Sequence, residues 1–123
     1  MNRQKQAHRI IRVVSEEYKT RYISDKPGRV TYAGGCEFHL FNYIDDETKQ
    51  KMIDLPRFDE NPEYTDEGRP FAMPIRDICP NGKKSNPDDP YPAECGDCVF
   101  FQQEQNPPND IIGICMCEEL RLP

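Results

Sequence analysis

Cys95-Gly96-Asp97-Cys98-Val99-Phe100-Phe101, followed after sixteen residues from Cys98 by Cys115-Met116-Cys117, holds four of the chain's six cysteines. Two thiol pairs joined by a hairpin of that length form a site for a thiophilic metal. The rest of the chain makes that reading decide the fold. Only 36% of the 123 residues are hydrophobic, 31% are charged and there is no Trp, so a core of ordinary thickness is out of reach. A domain this thin needs a staple from a metal, from disulfides or from a partner subunit.

Compartment separates those staples. The opening Met1-Asn2-Arg3-Gln4-Lys5-Gln6 lacks the apolar stretch of a secretory signal, and no apolar run approaches membrane-spanning length. The expectation is a cytoplasmic protein without membrane contact, where close cysteine pairs serve as metal ligands rather than disulfides.

More thiols are present than one four-coordinate site needs. Cys95, Cys98, Cys115 and Cys117 suit tetrahedral zinc, because a C-x2-C turn sets two sulfurs on one ion. The C-x-C pair carries a condition. On an extended strand its two sulfurs would point to opposite faces, so a turn at Met116 is required. Without that turn Cys79 becomes the fourth ligand, with fifteen residues between it and Cys95, and the set also suits a 4Fe-4S cluster. Pro80 directly after Cys79 matches the cysteine–proline step of such clusters. Zinc is the favoured cofactor on spacing, with the cluster as its alternative. Phe100 and Phe101 are expected to shield the metal from water.

The run Cys95-Gly-Asp-Cys98-Val-Phe-Phe101, with Ile111-Ile112-Gly113-Ile114-Cys115, resembles the small iron–sulfur subunits of some glycyl radical enzymes. Those subunits accompany benzylsuccinate synthase and hydroxyphenylacetate decarboxylase and have folds similar to high-potential iron–sulfur proteins. The resemblance implies an accessory rather than catalytic role, with Cys95, Cys98 and Cys115 as cluster ligands and Cys79 as an addition. Cys117 departs from the pattern, and residues 1 to 78 do not match it. The same hairpin is equally similar to small CxxC zinc-binding proteins.

A second constellation is Cys36-Glu37-Phe38-His39, a C-x2-H step after Gly34-Gly35. With a thiol left over from the first site, Cys36 and His39 are candidate ligands of a second metal. Against that stands a plainer reading, in which Cys36 is a small buried hydrophobe and His39 lies on a strand face. A catalytic Cys36/His39 dyad is disfavoured, since no Asn or Asp is identified to orient the imidazole.

The net charge of −6 conceals an asymmetry. Residues 1 to 30 carry eight Lys/Arg against three acids, a balance of +5, while the remainder carries eight against nineteen, a balance of −11. A basic arm on an acidic body is read first as a solvated helix face. It also allows a nucleic-acid-binding regulator, although no basic-aromatic interleaving supports one.

Periodicity places the elements. Ala7, Ile10, Ile11, Val14, Tyr18 and Tyr22 recur at spacings of three and four, predicting an amphipathic helix from about Asn2 to Ile23. Short strands are expected at Arg29 to Tyr32 and Glu37 to Ile44, then a helix capped at Asp45 or Asp46 and running to about Ile53. Ten of the twelve prolines lie between Asp54 and Asp110, which predicts an irregular wrap with one extended piece near Met73 to Ile78. The expected architecture is a single α+β domain, small and loop-rich, stapled by metal, with an amino-terminal amphipathic helix and a few short antiparallel strands. Its parts are a basic helical arm (1 to 30), a strand-helix segment (31 to 53) and a Pro/Cys-rich metal-binding half (54 to 123).

Phosphate loops, nucleophile elbows and H-E-x-x-H steps are absent from the sequence, and Gly82-Lys83-Lys84-Ser85 lacks the earlier glycine of a Walker motif. The functional expectation is a non-enzymatic metal-binding protein whose cysteine site shapes a surface for a protein partner or larger enzyme. Its alternative is an iron–sulfur accessory or electron-transfer subunit.

Overall fold

The computed structural model describes residues 9–76, 79–90, 93–103 and 111–123. It divides into two compact units, Met1–Pro56 and Arg57–Pro123. The architecture is strands and loops, and the helices among the described residues are 3-10 pieces of three residues each. The expectation of an α+β fold with an amino-terminal helix is therefore corrected.

Where that helix was expected, Arg9–Val13 forms strand β1; residues 2 to 8 lie outside the described residues. The β-branched Ile10, Ile11 and Val13 lose little χ1 freedom on a pleated surface, and a partner strand is at hand. β1 pairs in parallel with β3 (Cys36–Leu40), placing Arg9 opposite Cys36 and Val13 opposite Leu40. β2 (Arg29–Ala33) lies antiparallel on the other edge of β3, giving the order β1-β3-β2. Gly34 and Gly35 join β2 to β3 at φ 53° and 78°. Two successive left-handed residues make the hairpin turn whose twist matches the strands, a conformation that glycine adopts without a Cβ penalty.

β3 alternates strictly, with Cys36, Phe38 and Leu40 buried and Glu37 and His39 on the other face. Thr31, Ala33 and Phe41 complete this inner surface. The expected strand over residues 37 to 44 is broken at Phe41, and Asn42–Ile44 forms β4. The helix expected after Asp45 is also corrected: Lys51–Ile53 is strand β5, antiparallel to β4. Asp45 does cap something, but it is a turn. Its carboxylate accepts from Thr48 Oγ1 at 2.9 Å, its carbonyl accepts from Lys49 N–H, and Lys49 at φ 60° sends the chain back.

In the second unit the extended piece falls slightly earlier than expected, as β6 (Phe71–Ala72). β7 (Phe101–Gln102) and β8 (Gly113–Cys115) complete a small antiparallel sheet of order β6-β8-β7. Phe58, Phe71, Ala72, Met73, Ile112 and Cys117 are buried there. That small set of side chains must hold a proline-rich segment whose missing donors keep its strands to two or three residues.

Candidate metal centre

The CxxC turn is pinned from two directions. Cys95–Asp97 is a 3-10 helix closed by a reciprocal capping box between Glu94 and Asp97. Cys95 N–H donates to the Arg76 carbonyl at 2.7 Å, and Gly96 N–H donates to the Pro74 carbonyl at 2.8 Å. A Cβ at Gly96 would meet that Pro74 oxygen at 3.0 Å, so glycine is what lets the turn lie against the segment after β6. On the other flank Cys98 bridges Lys84, with Val99 N–H donating to the Lys83 carbonyl at 2.8 Å.

Cys115 ends β8, opposite Phe101 and with its N–H on the Pro70 carbonyl at 2.9 Å. Beyond it the strand stops. Met116 N–H donates to the Phe100 carbonyl at 2.8 Å, while Arg69 Nη1 donates to the Met116 carbonyl at 2.9 Å. Cys117 then begins the 3-10 helix Glu118–Leu120 as its N-cap residue. A backbone held from both sides at Met116 leaves the strand, and this frees the C-x-C pair from the alternation that would separate its sulfurs. Cys79 comes from a turn in which Gly82 N–H donates to the Cys79 carbonyl at 2.9 Å.

All five of these cysteines line one cavity of about 300 Å³, counting its opening to solvent, with Ala72, Gly82, Phe100 and Phe101 as the remaining wall. The structure thus brings Cys79 and Cys117 to the same place rather than choosing between them, and sets both phenylalanines where shielding was expected. Cys117 is buried, and the other four thiols are half-buried. Burial pushes the Cys95 and Cys115 thiols up, and the neighbouring thiols Cys79 and Cys98 push both in the same direction. Arg76 opposes the rise at Cys95, and the Cys117 backbone N–H opposes it at Cys115. A metal entering here would displace protons from sulfur. The sulfurs line the wall without meeting at a point: among the described residues no group of three or more His, Cys, Asp or Glu is close enough to hold an ion.

Cys36 and His39 are not brought together. Cys36 is 1% exposed on the inner face of β3, where Arg9 Nε and Nη2 donate to its Sγ at 3.3 and 3.2 Å. His39 lies on the other face against the Glu37 carboxylate. Among the described residues of the basic arm, three cations are engaged within the same unit. Arg12 stacks over the Phe41 ring at 5.0 Å, Lys19 pairs with Glu16, and Arg21 pairs with Asp46 at 2.6 Å.

Two features escaped the sequence. Arg69 acts on residues 47 positions away, and nothing local marks it. Asp54, 1% exposed, accepts from Ser15 Oγ at 2.8 Å and Tyr22 OH at 2.5 Å. The signal for Asp54 was an acid set alone between Ile53 and Leu55, an apolar context that only a hydrogen-bonded carboxylate tolerates.

Among the described residues no helix is long and apolar enough to cross a membrane. Comparison with protein-family models, curated proteins and solved structures finds no match.

Proposed function

We propose that this is a metal-binding protein whose Arg57–Pro123 unit is organised by a cysteine-ligated centre, and that it serves a partner protein rather than catalysing a reaction alone. The observation that carries this reading is the convergence of five thiols, drawn from three separate stretches of a proline-rich segment, on one cavity with an otherwise apolar wall. Thiolates select soft metals, and an apolar shell excludes competing water. After burial, Cys79 and Cys98 both push the Cys95 and Cys115 thiols up, and Cys117 pushes Cys115 up ahead of them, so all five thiols lie within electrostatic reach of that pair.

The spread of the thiols around the wall, with no three ligating groups among the described residues close enough to hold one ion, is what favours an iron–sulfur cluster over a single ion. Tetrahedral zinc needs four sulfurs each about 2.3 Å from one point, whereas a cluster takes thiolates from a wider perimeter. When bound, such a cluster would supply an electron-accepting group and a staple; the chain's part is to hold it, shade it with Phe100 and Phe101, and present the surrounding surface. The test is elemental analysis with an absorption spectrum on protein purified without oxygen. Iron with matching sulfide and a band near 400 nm is the expected result. About one zinc per chain would keep the site and replace the cofactor, and no metal would overturn the reading.

A further inference from the structure

We infer that Cys95 and Cys98 form a reversible dithiol–disulfide pair, a redox modification site whose oxidant is a small disulfide. The inference goes beyond the metal-centre reading and does not need it, since a disulfide takes two sulfurs where a centre takes four. Its basis is the turn that carries the pair. Cys95–Asp97 is a 3-10 helix, and Cys98 N–H closes it on the Cys95 carbonyl at 3.0 Å. In 3-10 geometry residues i and i+3 eclipse, and a rise of about 2 Å per residue sets their Cα atoms about 6 Å apart. Disulfides join residues whose Cα atoms lie roughly 4.4–6.8 Å apart. Local backbone therefore presents the two cysteines at bonding separation, and both line the same cavity.

The backbone around the pair is held, so side-chain rotation is enough to close it. Cys95 N–H donates to the Arg76 carbonyl at 2.7 Å, Ser85 N–H to the Asp97 carbonyl at 2.7 Å, and Val99 N–H to the Lys83 carbonyl at 2.8 Å. Both thiols are half-buried, and the exposed Gly96, Asp97 and Val99 beside them give a small reagent access. The other thiols lack one of these conditions. Cys36 and Cys117 are buried at 1% and 4% exposure, and Cys79 and Cys115 each stand without a cysteine three positions away. In the exchange, one sulfur of the pair attacks a sulfur of the small disulfide, forming a mixed disulfide and releasing one small thiol. The second protein sulfur attacks the first and releases the other small thiol. Two protons leave the pair for the released thiols by way of solvent, and two electrons pass from the pair to the small disulfide. Excess small thiol runs the exchange back.

The experiment equilibrates the full chain, purified without oxygen, with graded mixtures of reduced and oxidised glutathione, then quenches with acid, alkylates and maps the peptides. One disulfide is expected, Cys95–Cys98, about tenfold or more in excess of any other pairing. The effective concentration of the pair should be about tenfold or more above its value in concentrated urea, where the turn is lost and chain proximity alone brings thiols together. Cys95→Ser and Cys98→Ser should each stop at a mixed disulfide with glutathione, and excess reduced glutathione should return the wild-type chain to free thiols. The inference is overturned if a different pair predominates, if every thiol survives excess oxidised glutathione, or if the preference is the same in urea. Metal content of the same starting material bears on the metal-centre reading alone: a metal-free chain that closes this disulfide would overturn that reading and keep this one.

Discussion

The guanidinium of Arg69 donates to the carbonyl of Met116, the single residue between Cys115 and Cys117, at 2.9 Å, and to Glu118 Oε1 at 2.6 Å. One side chain thus holds the turn that keeps two thiols in one cavity. Arg69→Ala should lower metal retention roughly 10- to 100-fold, the usual consequence of losing a group that orients ligands. Competition with a chromophoric chelator measures it, and retention equal to wild type would remove Arg69 from the site.

Glu118 is held below the usual carboxylate range, first by its hydrogen bond to Arg69 and then by that residue's charge. The pair's contribution is therefore present above the ordinary carboxylate pKa and lost as pH falls through the lowered one. Glu118→Gln should converge with wild type in urea denaturation as the medium is acidified below that range, while Arg69→Ala, which also loses its hydrogen bond to the Met116 carbonyl, should stay less stable. A gap that persists unchanged would leave the ion pair without a part in the turn.

On the proposed reading, in which a metal organises Arg57–Pro123, its removal should unfold that unit selectively. Arg57–Pro123 has a thin core around its thiols, whereas Met1–Pro56 encloses Phe38, Leu40 and Phe41 at 0 to 1% exposure. Hydrogen exchange after chelation should show protection lost throughout 57–123 and kept in β2 and β3. Uniform loss across both units, or none, would contradict this.

Asp54 joins Ser15 and Tyr22 within the first unit. Asp54→Ala removes a buried acceptor and should cost about 2–4 kcal/mol in urea denaturation. Burial first, and Asp54 second, push Tyr22 above its ordinary value of 10.0. Stability from this group is thus full below about pH 10 and lost as pH rises through the raised value. Tyr22→Phe should flatten the alkaline limb of the stability profile, and a limb of unchanged slope would count against the network.

Gly113 has no room for a side chain, since a Cβ would lie 2.2 Å from Phe101 Cζ and 2.8 Å from the Gln102 carbonyl oxygen. Gly113→Ala must displace the Phe101 ring that walls the cavity. It should destabilise the second unit by about 1–3 kcal/mol and speed metal loss to chelators. Calorimetry with metal release kinetics checks both, and a silent substitution would show that the ring is not a fixed wall.

Some of this was legible one residue at a time. Gly34-Gly35 marks the end of a strand, and the cysteine spacings drew Cys79, Cys95, Cys98, Cys115 and Cys117 together as alternatives for one site. The prolines foretold how little regular structure the second unit would have. The helices at residues 2 to 23 and 45 to 53 failed for a common reason. In runs as short as Ile10-Ile11-Arg12-Val13-Val14, apolar residues fit a period of 3.6 and a period of 2 almost equally, and local sequence cannot break the tie.

Chain composition, by itself, determined how thin the core would be and how little regular structure the proline-rich half would have, because those depend on residue type and near spacing. Tertiary structure alone decided that Arg9–Val13 is a strand, through a partner 27 positions away at Cys36. It alone decided that Cys117 joins Cys115, through Arg69 and the Phe100 carbonyl. Both outcomes rest on hydrogen bonds between distant segments, whose formation depends on how the whole unit closes and leaves no mark on neighbouring residues.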